Sequence, residues 1–479
     1  MKKSIDLIRR SLALLIAVSF IVLPAAPALA EQTPKQRDNR TAFQTALNDV
    51  DTFGGREAFV LASNQNGNSQ SSVKPTSERS SSGNGADVLE KGRRGYIHPF
   101  LTVSEYYTDN VFFTRDDKKT DFITVISPGI WIAIPRMSDK APAMATSNLT
   151  AGGSASTRFL TRYPGHYQTF LLYRADIERY SKNHSENTTS HNLEGGFQYN
   201  FRGGLSVDVA DQYSQTHNPR GTGQFFELDK FRANFFGTSL SYEAGDRMLL
   251  RLDYSNYRIH YTEVRNDFRD RTDNAMSAFV FYKIRPRLAL FGQYEYVNVD
   301  YDETFLPDSR EHHIFGGLRW DITEKTKGSV KAGYAIKEPK GSKKTSDLTY
   351  EAILEHRLTS RTSLRVNASR KYGESDVVSA GNFTVSDSFG AGISQRFTPK
   401  LTARADLSYA RDKYQNDLIL GSQTGRLRDQ YYKGGLGLEY AFREWLSFDL
   451  GYTYSKRDSN FTLFDYVNNT VFFRVSGSL

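Results

Sequence analysis

The sequence predicts an all-β protein: a transmembrane antiparallel up-and-down β-barrel of about 18 strands, preceded by a disordered linker. Three observations predict it. Short turn segments, FRGG, EAGD, RPR, EKTKG, TSRT, TPK and FREW, recur roughly every 35 to 44 residues, each flanked by long alternating runs. The runs are two-faced. In LSFDLGYTYS, after Trp445, the residues Leu446, Phe448, Leu450, Tyr452 and Tyr454 share one face, while Ser447, Asp449, Gly451, Thr453 and Ser455 share the other. One face suits lipid and the other water. Third, beyond the N-terminus no stretch approaches the roughly 18 to 20 consecutive apolar residues of a membrane-spanning helix, and the mean hydropathy is −0.55. A chain of this kind in a membrane crosses it with strands.

The first element is a leader. Lys2, Lys3, Arg9 and Arg10 precede an apolar run from Ser11 to Leu23, and Ala28, Leu29 and Ala30 follow before Glu31. That is the order of a secretory signal, with cleavage expected after Ala30, so residues 1–30 are assigned to it. Residues 31–95 come next. They are polar and of low complexity, with NQNGNSQSS and SERSSSGNG as the clearest parts, and cannot bury enough apolar surface to offset about 1 to 2 kcal/mol of backbone entropy per ordered residue. A disordered periplasmic linker, trimmed first by protease, is the expectation.

Strands are expected over 97–108, 119–134, 166–181, 189–201, 204–217, 229–243, 247–262, 272–285, 287–301, 311–323, 328–338, 346–358, 362–374, 383–397, 400–414, 428–442, 445–458 and 466–479. An even number suits a bacterial single-chain barrel. The connections alternate between short turns and longer loops rich in charge, Gly and Asn, such as THNPRGTGQFFELDK and RDKYQNDLILGSQTGRLRD. Short turns belong to the periplasmic side of such barrels and long loops to the outside. One connection breaks the rule: 135–165, nominally periplasmic, reads as an insert, a plug or an extra hairpin. Outward aromatics gather at both strand ends, as interfacial girdles would. Tyr199, Phe201, Tyr242, Tyr282, Trp320, Tyr440 and Phe442 lie near the short turns; Tyr254, Tyr294, Tyr296, Tyr334, Tyr372, Tyr409 and Tyr454 lie near the long loops. Two runs of about 13 to 16 residues per period are too long for the blade strands of a propeller.

Composition narrows the function. The formal net charge is +8, of which the leader contributes +3 (Lys2, Lys3, Arg9 and Arg10 against Asp6), leaving +5. That is too little to argue for nucleic acid, and no recognition-helix pattern or aromatic single-strand groove is present. There is no cysteine, so an exported chain of this size has no disulfide and relies on sheet closure. No cofactor or metal is expected. His312 and His313 are adjacent in a strand and point to opposite faces, so they cannot share an ion. Serines are many, but no GxSxG turn occurs and no Ser, His and Asp set is marked by spacing, so an enzyme is not expected.

Inward-facing charge carries more information. The alternation places Arg174, Asp176 and Glu178 in the lumen, then Arg251 and Asp253, Arg319 and Asp321, Glu351, Glu355 and Arg357, Arg404 and Asp406, and Lys433, Glu439 and Arg443. Opposite charges two apart, or on neighbouring strands, cross-link a barrel wall. Both signs interleaved also hydrate a passage without strong ion selection, which suits a neutral or mildly charged polar solute such as a glycan.

Two stretches add what periodicity cannot. PFLTVSEYYTDNVFFT, Pro99 to Thr114, followed by KTDFITVISPGIWIAIP, Lys119 to Pro135, resembles the opening of the putative beta-barrel porin 2 family, with its Tyr-Thr-Asp-Asn turn and its Asp-Phe-Ile-Thr strand ending in Ser-Pro-Gly. YRADIERY, Tyr173 to Tyr180, is similar to that family's third strand. The resemblance spans Gly95 to Leu479, with Tyr107 to Val111 and Asp121 to Gly129 as its more specific motifs. It implies a barrel in the outer membrane of a Gram-negative bacterium, associated with exopolysaccharide loci and serving as a conduit beside a periplasmic polysaccharide export protein. No catalytic residue comes with it. The expected partners are outer-membrane lipid and lipopolysaccharide, the barrel assembly machinery, and the transported polysaccharide. The sequence departs from the pattern at 135–165 and at Leu479, where an aromatic is usual. A general or nutrient-uptake porin, an outer-membrane enzyme, and a barrel that only anchors a partner through 31–95 are the competing readings.

Overall fold

The computed structural model describes residues 97–134, 166–218, 228–285, 287–323, 325–374, 381, 383–420, 422–443 and 445–478. The leader, the linker and the 135–165 connection lie outside the described residues. The strands are β1 (Ile97–Thr108), β2 (Asp121–Ile134), β3 (Tyr167–Tyr180), β4 (Thr188–Asn200), β5 (Leu205–Asn218) and β6 (Asp229–Ala244). They continue as β7 (Met248–Tyr261), β8 (Arg271–Arg285), β9 (Leu288–Tyr301), β10 (Ser309–Thr323), β11 (Thr326–Pro339) and β12 (Thr345–Arg357). The last six are β13 (Thr362–Glu374), β14 (Phe383–Arg396), β15 (Leu401–Leu420), β16 (Gln423–Arg443), β17 (Leu446–Ser459) and β18 (Tyr466–Ser478). All belong to one 18-stranded antiparallel sheet in sequence order, and β1 also pairs with β18. The sheet is therefore a closed barrel, which removes both edges.

The period-2 pattern sets the faces. Leu450, Val471 and Phe473 are exposed on the outer face, while Ser447, Ser455, Thr470 and Ser476 are buried on the inner. No described helix is long and apolar enough to cross a membrane. At the short-turn end, Gly204 and Gly245 adopt φ of 88° and 70°, a region that L side chains avoid, so the FRGG and EAGD turns require glycine there.

The motifs singled out at β1 and β2 hold the barrel shut. Asp109 accepts from the Asn469 backbone N (2.7 Å) and Nδ2 (2.6 Å), Asn468 Nδ2 donates to Thr108 Oγ1 (2.9 Å), and Asn110 Nδ2 donates to the Val467 carbonyl (3.0 Å). These bonds clasp β1 to β18, the pair farthest apart in sequence. Asp121 accepts from Ser181, Lys182 and Asn183 and so fixes the β3–β4 loop. In Ser-Pro-Gly, Ser127 Oγ donates to Asp176 Oδ1 (2.6 Å), Pro128 falls in a gap in the β2–β3 ladder, as a residue without an N–H must, and Gly129 leaves room for the Phe100 ring. Replacing Asp109 by Ala is expected to cost about 1.5 to 3 kcal/mol, because a charged acceptor is lost from two donors. The thermal midpoint of heat-modifiable gel migration measures it, and an unchanged midpoint would contradict the clasp.

Two expectations need correction. RDKYQNDLILGSQTGRLRD is not a loop: β15 continues through it to Leu420 and β16 resumes at Gln423, with an irregularity in their pairing between Lys413 and Asp417. Apolar burial is the reason, since Leu418 and Leu427 pack with Tyr414, Phe461 and Phe464 beside the buried pair Arg457–Asp429 (2.6 Å). Tyr372 is also not an outer-girdle residue. It is buried against Phe383 and Ala335, for the reason given below.

Candidate functional site: the barrel interior

The interior face is lined by polar networks that follow from strand alternation. On β3, Arg174 Nε lies 3.1 Å from Asp176 Oδ1, and Asp176 also accepts from Ser127 on β2 and from Asn192 Nδ2 on β4 (3.2 Å). Ser214 on β5 donates to Asn192 Oδ1 (3.0 Å), so one chain of bonds ties four strands. Glu178, fully buried, faces His217 Nε2 at 3.5 Å. On β7, Arg251 Nε donates to Asp253 Oδ1 (2.5 Å) and Arg251 Nη2 to Ser239 Oγ (3.1 Å), with the guanidinium over the Phe279 ring.

The remaining lumen candidates fall differently. Arg404 does not pair with Asp406 two residues along; its Nη2 reaches across to Glu439 Oε2 on β16 at 2.5 Å. The Asp406 carboxylate instead lies flat on Gly435, where a Cβ would come within 2.6 Å of Oδ1. Arg319 shares the β10 face of the buried Phe315, and the Asp321 side chain lies outside the described set. Further along the wall, Lys331 lies 3.6 Å from Glu351, and Arg365 lies 3.4 Å from Glu355. His313 faces inward and contacts Glu311 (2.8 Å), while His312 faces outward to Tyr294. Among the described residues no cluster of three or more His, Cys, Asp or Glu could hold a metal.

A network near the loop end was not marked by the sequence. Lys337 Nζ on β11 donates to Glu311 Oε1 on β10 (2.6 Å) and also contacts Glu374 on β13. Glu374 in turn accepts from Tyr301 Oη on β9 (2.9 Å). Arg271 and Asp273 on β8 form a buried pair at 3.2 Å beside it. These contacts skip β12. They are possible because β12 and β13 pair only as far as Tyr350↔Arg370. Beyond that level Arg370 spans the gap, to Asp347 on β12 (2.8 Å) and to Asp387 on β14 (2.8 Å). The ends of β13 and β14 therefore lean over the interior, carrying Tyr372 and Phe383 onto Ala335 of β11. Each of these residues looked like an ordinary strand-end polar or aromatic group, and no local spacing predicts that two strands bend past a third.

At the loop end, the segment 264–269 is a 3₁₀ turn whose Arg265 and Asn266 bond Asp229 at 3.0 and 2.8 Å, with Arg269 over the Tyr261 ring. Burial raises the Asp270 carboxyl in this connection above its ordinary value, against the Tyr261 N–H and His260 that favour its charged form.

A family model described as putative beta-barrel porin 2 matches residues 165–478. No curated protein matches. Among solved structures, the chain is similar to the outer membrane protein OpdK from Pseudomonas aeruginosa, at 10% identity and TM-score 0.41, covering 80% of this chain and 99% of that one. It is similar to the siderophore receptor PirA from the same organism at 9% identity and TM-score 0.40, covering 81% of each chain. The FrpB iron transporter from Neisseria meningitidis matches at 12% identity and TM-score 0.40, covering 82% of this chain and 83% of that one.

Proposed function

The chain belongs to the putative beta-barrel porin 2 family, and from that premise we propose that it is an outer-membrane channel through which a secreted exopolysaccharide leaves the cell. The observation that carries the reading is the inner face of the closed barrel: charge of both signs, hydroxyls and amides set around it on eighteen strands. A hydrated glycan needs donors and acceptors spread along its path and no single deep site, because a tightly held chain does not move on. A ring of about 16 to 18 strands has the width of an aqueous porin channel. The short turns then face the periplasm and the longer loops the exterior. The protein works passively in this reading, with a periplasmic polysaccharide export protein delivering the chain.

The test uses the absence of cysteine. A single thiol in place of Glu351, whose side chain is 29% exposed on the inner wall, gives a unique site for a bulky, reductant-cleavable reagent. Modification is expected to lower both ion conductance and export of surface polysaccharide, and reductant to restore both. Normal export through a lumen shown by conductance to be blocked, in a strain without a second exporter, overturns the conduit.

A further inference from the structure

The seam between β12 and β13 stops short of the strand ends. Its ladder runs from Arg357↔Ser363 to Tyr350↔Arg370, so 345–349 of β12 and 371–374 of β13 have no partners across it. On their other sides both strands stay paired, β12 with β11 to Lys337↔Thr345 and β13 with β14 to Glu374↔Phe383. The break is therefore not a frayed end. It parts two ordered strand ends that lie in different layers. Outside, Leu348 is 52% exposed and stands in register with Tyr334; inside, Tyr372 packs on the buried Ala335. A second interruption lies beyond β14, which stays paired with β15 to Thr384↔Tyr414 while β15 loses β16 between Lys413 and Asp417. The ends of β13 and β14 thus form a two-stranded flap that hangs on β15.

The flap sits against its own alternation. Asn367 is buried on the inner face and Phe389 is exposed on the outer, so Arg370, Tyr372, Glu374 and Phe383 all belong to the outer face by parity. Yet Tyr372, Glu374 and Phe383 are buried, and they touch Ala335 and Lys337 on the inner face of β11. Continuing the β12–β13 register sets Tyr372 opposite Leu348, and Glu374 opposite Ser346. Tyr372 then joins Tyr334 in the outer girdle to which alternation assigns it, and Glu374 reaches the loop end. The tucked position is also imperfect. Tyr372 Oη and Thr349 Oγ1 are buried without a hydrogen-bond partner, and 345–349 is left as a free edge. What holds the flap there is a latch: Glu374 against Lys337, Tyr301 Oη donating to Glu374 (2.9 Å), and Arg370 reaching Asp347 and Asp387 (2.8 Å each). Each position satisfies groups that the other leaves unmet, as a bistable element requires.

We propose that the β13–β14 flap is a gate at the loop end of the lumen, with one position tucked under β11 that narrows the passage and one zipped into the wall against β12 that widens it. Zipping gains ladder hydrogen bonds along 346–349 and returns the Tyr372 hydroxyl to water. It gives up the bonds from Glu374 to Lys337 and Tyr301. Lys337 keeps Glu311 in either position (2.6 Å), so no buried ammonium is stranded by the movement. A solute chain in the lumen favours the zipped position, because that position leaves it room. The gate follows from the wall alone and holds whichever solute passes, so it goes beyond the conduit reading.

The absence of cysteine provides the test. Leu348→Cys with Tyr372→Cys puts the two thiols on opposite sides of the wall in the tucked position, where they cannot meet, and face to face in the zipped one. Ala352→Cys with Ala368→Cys, a pair in the observed ladder on the same face, is the positive control. Under mild oxidation in membranes the first pair is expected to form a disulfide. In planar bilayers that disulfide should hold the channel at a conductance that wild type reaches only in brief openings, and reductant should restore the wild-type trace. Ala335→Cys with Tyr372→Cys, joined by a short bifunctional thiosulfonate that takes the place of the ring, should abolish those openings. Heat-modifiable migration confirms that each variant assembles. Where the first pair does not assemble, Ser346→Cys with Glu374→Cys, the next pair in the continued register, reads the same movement. A first pair that stays reduced while the control is oxidised means that there is no zipped position. A first pair that is oxidised, with the two locked proteins conducting alike, means that the flap gates nothing. Either result overturns the proposal.

Discussion

Replacing Lys337 by Met is expected to destabilise the folded barrel by about 3 to 5 kcal/mol, the cost of removing one partner from a buried charge network. Lys337 is 1% exposed and its ammonium sits between the Glu311 and Glu374 carboxylates. Without it, two carboxylates remain in a site with little water, and the end of β13 loses its tie to β11. Two readouts follow. The midpoint of heat-modifiable migration should fall, and single-channel conductance should rise, since Glu374, Tyr372 and Phe383 are held over the interior through this network. Glu311→Gln and Glu374→Gln added to Lys337→Met should recover much of the stability, because no unpaired charge is left, while the tie between strands stays cut and the conductance stays high. A single variant as stable as wild type, with unaltered conductance, would show that the ends of β13 and β14 are not held this way.

The second large effect is on the outer face. Leu450 is 50% exposed, directly opposite Leu438 on β16 and Phe473 on β18, in the middle of an apolar band. Leu450→Arg is expected to cost about 2 to 4 kcal/mol at the depth of the bilayer midplane and to reduce the heat-modifiable fraction recovered from outer membranes. Asp449→Asn, one residue away on the inner face between Glu439 and Arg474, should be mild. Equal tolerance at the two positions would mean that the face assignment is wrong.

The sequence by itself determined the strands, their faces and the barrel class, because these depend on patterns of period two and on turn residues that act within a few positions. The run 362–374 coincides with β13, and 247–262 brackets β7. Parity also placed Arg174, Asp176, Arg251 and Asp253 on one wall, where two-apart pairing is a local geometry. The tyrosines, asparagines and prolines of the β1–β2 motifs were visible as a signature, but their work was not: Asp109 meets Asn469 only after the whole ring has closed.

Everything that depends on which strands face each other across space, or on where a strand leaves its neighbour, was decided by the tertiary structure. Arg404 prefers Glu439 to Asp406 because cross-strand reach depends on register, and Asp406 is drawn flat by the absence of a side chain at Gly435. Leu418 and Leu427 extend β15 and β16 because a cluster of rings from a later connection buries them. Tyr372 and Glu374 turn inward because β12 releases β13 after Arg370. Alternation assigns a side chain to a face, and only closure, with its stagger and its local loss of pairing, assigns that side chain a depth and a partner.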